Sequence, residues 1–435
     1  MIATDLLVAG RNLLRHSRRN LFLGAAIAAV AALLVLFLGL VDGTRAAMME
    51  SATTVMCGHV NVGGFFKITS GSSAPLVTDW PRVMEDVRRL VPEIDYATIR
   101  GRGYVKAISD SDSMDLVLSG IQIAKERRFR RVVQVIDGKL DDLGQPNTIM
   151  LSEKQAERLK VKAGDALTLS APTARGVNNT VDVRVVAVMR SIGLLSNIFA
   201  FLPEESLRRL YQLNDRTTGA IHLFLKDPAQ APQVMSRLLE DLRRAGYRVM
   251  DHDAQPYWMK LFAKVNSEDW TGQKLDVTTW LDEVSFLDSI LKVVSGLATI
   301  LISVLLFIVV VGIMNTLWIA IRERTREIGT LRAIGMQRTK VLWLFLLEAT
   351  LLALAGATVG VLAGWGAGAL LNLADLKVNE GLQMLIMQDH LSVVVHPRAL
   401  AGYVAFITLL TAVGALLPSL RAARLRPVTA MHHIG

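Results

Sequence analysis

The side chains that could do chemistry are concentrated in one charged run between two apolar blocks. Arg322 to Glu327 mixes basic and acidic residues, and Ile328, Leu331 and Ile334 follow at three-residue spacing. That spacing predicts a short helix with one apolar side. Charged faces beside an apolar side are typical of a helix that binds a groove in a partner or lies at a membrane surface. The run therefore indicates a binding element and not a catalytic centre.

The sequence has no pattern for ATP hydrolysis. Gly138-Lys139 is the only Gly-Lys pair, and Val133 and Leu140 replace the first glycine and the hydroxyl residue of GxxxxGK[ST]. Without that phosphate-binding loop we expect no ATPase activity in the chain. The stretch Leu118–Gln122 (LSGIQ) differs by one residue from the LSGGQ signature of ABC ATPases. It lies in a strand-like run, so we interpret it as a chance match.

Other reactive residues form no recognisable site. A single cysteine, Cys57, excludes an intrachain disulfide, and we expect it to be a buried thiol. No HExxH or CxxC pattern occurs. The adjacent His432 and His433 lie in a basic tail and are expected to be solvated. We therefore predict a chain that is not an enzyme and that binds no metal or cofactor itself.

Four apolar blocks predict four membrane-spanning helices in a one-plus-three arrangement, at residues 21–41, 289–321, 341–371 and 399–420. Each block is long enough to cross about 30 Å of hydrocarbon as a helix. The third block carries Gly356, Gly360 and Gly364, and this spacing of small residues favours close helix packing. The predicted fold class is an α-helical membrane protein with a large extracytoplasmic domain.

Basic residues next to these blocks predict the orientation of the chain. They are Arg11, Arg15, Arg18, Arg19, Arg322, Arg324, Arg326, Arg332, Arg338, Lys340, Arg421, Arg424 and Arg426. By the positive-inside rule, the entry segment 1–20, the connection 322–340 and the tail 421–435 are cytoplasmic. The domain 42–288 and the short loop 372–398 are then outside. The net charge of +9 is thus a membrane signal, and we do not expect nucleic-acid binding.

The outer segment, residues 42–288, is long enough for its own core. Two strand–helix–strand halves, at about 58–110 and 203–255, predict an α/β core, and strand-like runs between about 111 and 202 predict a β-rich insertion. Helices are expected at Trp80–Leu90 and Glu153–Leu159, and a closing strand at Arg248–Met250. The outer domain is therefore predicted to be α+β.

The charged run also carries a family resemblance. Glu323–Gly335 reads ERTREIGTLRAIG and resembles the ERTREIGxLRAxG sequence of the FtsX-like permeases, a superfamily that includes the MacB-type efflux permeases and the LolC/LolE lipoprotein-release permeases. Glu348 is similar to an acidic residue in the family's third span. Arg11–Arg15 and Pro418–Met431 are similar to its entry and closing segments, although Met431-His432 departs from the usual Leu-Arg ending.

The resemblance implies that this segment is a coupling helix that binds a separate ABC ATPase. The residues so assigned are Arg322, Glu323, Arg324, Thr325, Arg326, Glu327, Ile328, Gly329, Leu331, Arg332, Ala333, Gly335 and Met336. It further implies two paired permeases in the bacterial inner membrane, above a pair of ATPase subunits that hold ATP and magnesium. Whether the two permeases are identical stays open. With no fused ATPase domain, the layout resembles the LolC/LolE type most.

Three functions follow from the resemblance. The leading expectation is ATP-driven release of lipoproteins or other amphiphilic substrates from the inner membrane, with a periplasmic carrier as a partner. The second is MacB-like efflux of periplasmic substrates through an adaptor. The third is FtsX-like mechanotransmission without transport, which the large outer domain disfavours. The Gly58–Val60 stretch is similar to one in LolC/LolE-type permeases and tilts weakly towards the first.

Overall fold

The computed structural model describes residues 11, 17–69, 72–173, 176–191, 196–379 and 390–424. They divide into two compact units. The helical unit draws on Met1–Thr44, Lys292–Lys377 and His390–Gly435, and the α/β unit on Arg45–Leu291. Three predicted parts lie outside the described residues. They are most of the entry motif Arg11–Arg15, loop residues 380–389, and the tail from residue 425 onwards.

The elements of the described chain are as follows. The helices are α1 Ser17–Val55, α2 Trp80–Leu90, α3 Arg127–Val132, α4 Glu153–Leu159, α5 Glu204–Tyr211, α6 Ala231–Arg244, α7 Tyr257–Ala263, α8 Trp280–Glu283, α9 Ser285–Glu323, α10 Thr325–Ala333, α11 Arg338–Leu373 and α12 Pro397–Ala423. The strands are β1 Val60–Thr69, β2 Ser72–Ala74, β3 Ile94–Ile108, β4 Ser113–Ile121, β5 Val135–Gly138, β6 Thr148–Ser152, β7 Ala166–Pro172, β8 Asn178–Met189, β9 Phe199–Pro203, β10 Ala220–Leu225 and β11 Gly272–Thr279.

Four described helices are long and apolar enough to cross a membrane. They comprise Asn20–Val55 of α1, Ser295–Glu323 of α9, Arg338–Leu373 of α11 and Pro397–Ala423 of α12. Each exceeds the roughly 20 residues that a bilayer requires. The helix α1 continues well past its apolar run, as far as Val55. Together with the α/β unit, these helices confirm the predicted fold class.

Close packing of α1 against α11 depends on glycine. A Cβ added at Gly360 would lie 2.2 Å from the Ala28 carbonyl oxygen, and additions at Gly356 and Gly364 would lie 2.9 and 2.7 Å from carbonyl oxygens of α1. Only the absence of a side chain allows such an approach of two helix backbones. The close approach expected for this glycine run is therefore present.

The α/β unit is built on one large sheet. The strand order is β11-β1-β10-β3-β4-β9-β6-β8-β5, with β2 beside β1. The helices α2 and α6 cover the β1 side, where Val87 and Leu238 pack against sheet residues such as Ile221. The 15-residue strand β3 continues from this side into the β-rich part. A single strand thus belongs to both halves of the unit.

The β-rich part closes on itself. The strand β7 pairs with both β8 and β3, which completes the ring β3-β4-β9-β6-β8-β7. Alternate residues of β8, such as Val183 and Val185, point into a buried core shared with Leu118 and Leu169. This period-two alternation is what a sheet with one buried face requires. The predicted β-rich insertion is therefore a small closed barrel.

A buried carboxylate lies where the barrel meets the rest of the sheet. Glu204 accepts hydrogen bonds from the Gly101 backbone N–H at 2.7 Å and from the Thr218 hydroxyl at 2.8 Å. Burial raises the pKa of Glu204 to about 7, although Arg208 and these donors oppose the rise. The protonation of one side chain is therefore linked to the packing at this junction.

Two differences from the predicted elements concern the end of the α/β unit. The expected strand Arg248–Met250 makes only a bridge between Val249 and Leu275. The strand β11 was not predicted, because its buried residue Asp276 breaks the apolar pattern. The Lys260 ammonium group lies 2.9 Å from that carboxylate, so a buried ion pair takes the place of apolar contacts.

Candidate functional site

The candidate coupling segment is a separate helix between two membrane helices. The long helix α9 ends at Glu323, and Arg324 adopts φ −101° and ψ 13°, which separates it from α10. At the other end Gly335 has φ +109°, a conformation that residues with a side chain rarely adopt. The chain then enters α11 at Arg338. Two local breaks thus isolate nine residues of helix, Thr325–Ala333.

One side of α10 is buried in the helical unit. Ile328 is 5% exposed and belongs to a cluster with Ile321, Val341, Phe345 and Ala422. These residues come from α9, α11 and α12, and Gly329 next to Ile328 is buried too. The inward side of α10 therefore contacts all three C-terminal membrane helices.

Two arginines tie the segment to its surroundings. The Arg324 guanidinium lies 3.1 Å from the Glu348 carboxylate of α11, and the two side chains are 11% and 8% exposed. Arg332 donates to the Ala423 carbonyl oxygen at the end of α12, at 3.3 Å. A carbonyl at a helix C-terminus has no partner within its own helix, so a cation there is favourable. Polar contacts thus reinforce the apolar ones.

The other side of the segment is open. The exposed residues are Arg322, Glu323, Arg326, Glu327, Thr330, Ala333, Ile334 and Gly335. Arg324, Thr325, Arg332 and Met336 are partly buried, and the side chain of Leu331 lies outside the described set. The structure therefore divides the predicted residues between a face that anchors the helix and a face that a partner could reach.

The prediction of the apolar side of this helix is wrong for one residue. The three-residue spacing predicts that Ile334 shares the apolar side with Ile328, yet Ile334 is 86% exposed. The helix ends at Ala333, so Ile334 lies at its C-cap and not one turn further along the buried face. A large apolar side chain therefore stands among charged residues at the tip of the segment.

The partners of Arg324 and Arg332 were not predicted from the sequence. The sequence indicates Glu348 only through its likeness to an acidic residue of the family's third span. The available signal was its position, because an acidic residue in an apolar membrane helix needs a nearby cation or polar group. The main-chain partner of Arg332 leaves no trace in the residue types, since any residue has a carbonyl group.

The chance match at Leu118–Gln122 and the single cysteine form no site among the described residues. Leu118–Gln122 lies in and just beyond β4, with Leu118 buried in the barrel core. Cys57 is buried, as expected, and burial raises the pKa of its thiol. No group of histidine, cysteine, aspartate and glutamate that could hold a metal ion occurs in the described part of the chain. His432 and His433 lie outside it.

Comparisons with known proteins agree with this architecture. Residues 299–427 match the family described as FtsX-like permease C-terminal. Residues 23–240, half of the chain, match the family described as MacB-like periplasmic core domain. Together these matches cover nearly all of the four candidate membrane helices and most of the α/β unit. The chain therefore belongs to the FtsX-like, MacB-type family of ABC transporter permeases.

Individual relatives match over shorter stretches. The chain is 34% identical over 122 residues to the uncharacterized ABC transporter permease YvrN of Bacillus subtilis, covering 28% of this chain and 26% of YvrN. It is 33% identical over 151 residues to the macrolide export ATP-binding/permease protein MacB of Hahella chejuensis, covering 33% of this chain and 21% of that protein. The chain thus spans about a quarter of these curated relatives.

Among solved structures, the chain is similar to the periplasmic region of MacB from Actinobacillus actinomycetemcomitans. That likeness has a TM-score of 0.33 and 12% identity, and it covers 55% of this chain and 97% of the other. The extracellular domain of the transporter YknZ from Gram-positive bacteria gives a TM-score of 0.28 at 18% identity, over 42% of this chain and 95% of that domain.

Proposed function

We propose that this chain is the membrane subunit of an ATP-driven complex, and that a separate ABC ATPase binds the open face of the segment Arg322–Met336. The observation that carries the proposal is the two-sided burial of α10. Its inner side, at Ile328, is held by three membrane helices, and its outer side presents charges around the exposed Ile334. An exposed apolar side chain with charged residues nearby in the sequence resembles the apolar core and polar rim of a protein interface.

The contacts of α10 indicate how a push from the ATPase would spread. The segment continues into α9 and α11 along the chain, and Arg332 links it to the end of α12. In turn α11 packs on α1 through the backbone contact at Gly360. Close-packed helices move as bodies because their interfaces do not deform continuously. A displacement of α10 would therefore reach all four membrane helices.

The proposed assembly rests on the family to which the chain belongs. ATP and magnesium are held by the ATPase pair, and a second permease, the same or a related chain, completes the membrane part. The complex lies in the bacterial inner membrane, with both termini of this chain cytoplasmic and the α/β unit in the periplasm. The basic residues around Arg322 and Arg421 support that orientation.

For the cargo, we propose lipoproteins or other amphiphilic molecules released on the outer side of the inner membrane. The central stretches of the apolar spans carry no charged residue that would serve a polar pathway through this subunit, which fits a cargo that does not cross it. The MacB relatives are named for macrolide export, and this supports the alternative of periplasmic efflux with an adaptor. Mechanotransmission without transport is the third candidate.

The docking proposal is tested by charge reversal at the open face. Glu327→Arg in the full chain should reduce co-purification of the ATPase encoded beside it, and should lower ATP-dependent activity of the complex. The matched control is Glu157→Arg, which makes the same change at an exposed helix position of the α/β unit. ATPase binding that survives both Glu327→Arg and Ile334→Asp would refute the assignment.

The cargo is tested separately. Proteoliposomes of the complex loaded with a triacylated lipoprotein should release it on addition of ATP and a soluble carrier. If release fails but cells lacking the chain become sensitive to macrolides, efflux replaces lipoprotein release. If neither occurs while ATP still changes the outer domain, the mechanotransmission candidate remains.

A further inference from the structure

The outer ends of α1 and α9 meet at neighbouring strands. The strand β1 begins just after α1, and β11 ends just before α8 and α9. These two strands are antiparallel partners, with Val60 opposite Thr279. The backbone N–H of Trp280 also donates to the His59 carbonyl oxygen at 3.1 Å. We call Arg45–Val55 the first stalk and Trp280–Phe286 the second stalk.

Both stalks contribute to one buried cluster. Met48, Ala52 and Val55 of the first stalk lie in the same cluster as Trp280 and Val284 of the second. The cluster also takes residues from the central strands and from α3. Apolar contact alone would allow the stalks to slide, because it has little directional preference.

Directional contacts come from Arg100 of β3. Its guanidinium donates to the carbonyl oxygens of Thr54 and Val55, at 2.9 and 3.0 Å. The same guanidinium forms a bidentate contact with the Glu126 carboxylate, in which Nε donates to Oε1 and Nη2 donates to Oε2, each at 2.8 Å. Arg100 is 1% exposed and Glu126 is fully buried. The last carbonyls of α1 thus receive donors that the helix itself cannot supply.

Arg102, the next residue on the same face of β3, makes the directional contact with the second stalk. Arg102 lies 3.5 Å from the Glu283 carboxylate, and both side chains are nearly buried. Its guanidinium stacks 3.8 Å from the centre of the Tyr257 ring. Glu283 also accepts from the Thr278 hydroxyl at 2.8 Å. The second stalk is therefore bound to β3 through a charge pair just before α9 begins.

The sheet leaves room for this arrangement. A Cβ at Gly219 would lie 2.6 Å from the Arg102 backbone nitrogen and 2.6 Å from its Cγ. A larger residue there would displace the arginine from Glu283. Two buried arginines at alternate positions of one strand are costly to keep, and each is offset here by a carboxylate.

We propose that Arg100 and Arg102 form a joint that fixes the outer ends of α1 and α9 to β3, so that both stalks and the sheet move as one body. This inference rests on the proposed function for its purpose, since a rigid joint would let an ATP-driven displacement of two membrane helices reach the outer domain undiminished. Arg100 and Arg102 act as positioning residues. The geometry of the joint involves the α/β unit alone and does not depend on which cargo the complex handles.

The test uses the full chain in lipid nanodiscs. One variant is Arg100→Met with Glu126→Leu, and the other is Arg102→Met with Glu283→Gln. Each pair of changes removes the arginine contact without leaving a buried charge alone, so the fold is expected to persist. The control is Arg237→Met with Glu93→Gln, a partly exposed arginine–carboxylate pair of the same unit, which joins α6 to the residue before β3 and touches neither stalk.

Two readouts decide the proposal. Hydrogen exchange in residues 45–57 or 280–286 should become about tenfold faster or more in the matching joint variant, and stay unchanged in the control. Spin labels at Ala46→Cys and Ala245→Cys, both exposed positions, should show a broader distance distribution in the Arg100 variant. Cys57 is 1% exposed and stays in place. Wild-type exchange and widths in both joint variants, with normal thermal unfolding, would overturn the joint.

A third readout separates the joint from the proposed function. With the ATPase bound, the joint variants should retain ATP hydrolysis, and ATP should change the Ala46–Ala245 distance distribution in them but not in the unaltered complex, where stalk and sheet move as one body. If the ATPase does not bind the unaltered chain, the proposed function fails, and exchange and label widths still decide whether the joint exists. If ATP changes the Ala46–Ala245 distribution as much in the unaltered complex as in the variants, stalk and sheet do not move as one body and the proposal is overturned.

Discussion

The contact between Arg324 and Glu348 gives the sharpest test of how α10 is held. The change Glu348→Ala removes the carboxylate and leaves the arginine nearly buried, since that side chain is only 11% exposed. Breaking one side of such a pair costs about 3–5 kcal/mol, much more than the loss of a surface pair. We therefore expect α10 to loosen from the helical unit while the membrane helices remain folded.

The size of the effect can be worked out from the helix itself. With nine residues, α10 is shorter than the roughly 12–15 residues that an isolated helix needs in water. Its protection against hydrogen exchange must therefore come from contacts such as this one. A loss of about 3 kcal/mol corresponds to about a hundredfold faster exchange of its amides.

The assay is hydrogen exchange of residues 322–337 in the full chain in nanodiscs. The double change Arg324→Met with Glu348→Leu should regain most of the protection, because no charge remains buried without a partner. Arg326→Met, at an exposed position of the same helix, should have no effect. Exchange in Glu348→Ala at the rate of the unaltered chain would refute the reasoning, as would a double variant that exchanges as fast as the single one.

Three further predictions concern stability. Burial raises the pKa of Glu204 from an ordinary 4.5 to about 7, so the stability that its protonated form contributes is fully present below about pH 4.5 and is lost as the pH rises through 7. In a pH series of urea unfolding, Glu204→Gln should remove this loss, which amounts to roughly 3 kcal/mol of unfolding free energy at most. Burial and the nearby Arg128 lower the pKa of His59 to about 4. The stability contributed by the neutral imidazole is therefore present above about pH 6.5 and is lost as the pH falls through 4, and His59→Gln should remove that loss in the same series. Gly360→Val should destabilise the helical unit by about 1–3 kcal/mol in thermal unfolding, whereas Gly366→Val, with open space around it, should not.

A curve for Glu204→Gln that keeps the full fall between pH 4.5 and 7 would place that titration elsewhere. Likewise, an acid limb unchanged in His59→Gln would show that another group carries it. Equal melting of the two glycine variants would contradict the close approach of α1 and α11.

Local signals predicted much of the fold. The helices Trp80–Leu90 and Glu153–Leu159 have the predicted bounds. For the second, Ser152 and Gln155 form a capping box, a pattern that depends only on neighbouring residues. The four apolar runs were equally clear, because a bilayer requires long uninterrupted stretches. In each case the cause lies within the segment.

What the sequence did not predict depends on partners far along the chain. Arg100 and Glu126 both look like surface residues until the sheet brings them together with the end of α1. The strand β11 was missed because Asp276 is buried only by virtue of Lys260. The exposure of Ile334 depends on where a short helix stops, and three-residue spacing does not contain that information.

The way Arg100 holds the first stalk has a consequence for sequence variation. Its donors meet the main-chain oxygens of Thr54 and Val55, and every amino acid supplies such an oxygen. Alanine at either position would keep the hydrogen bond, so scanning the helix end one side chain at a time would miss the contact altogether. The contact therefore does not restrict which side chains occupy positions 54 and 55 of α1 during evolution. It requires only that β3 carries an arginine at position 100.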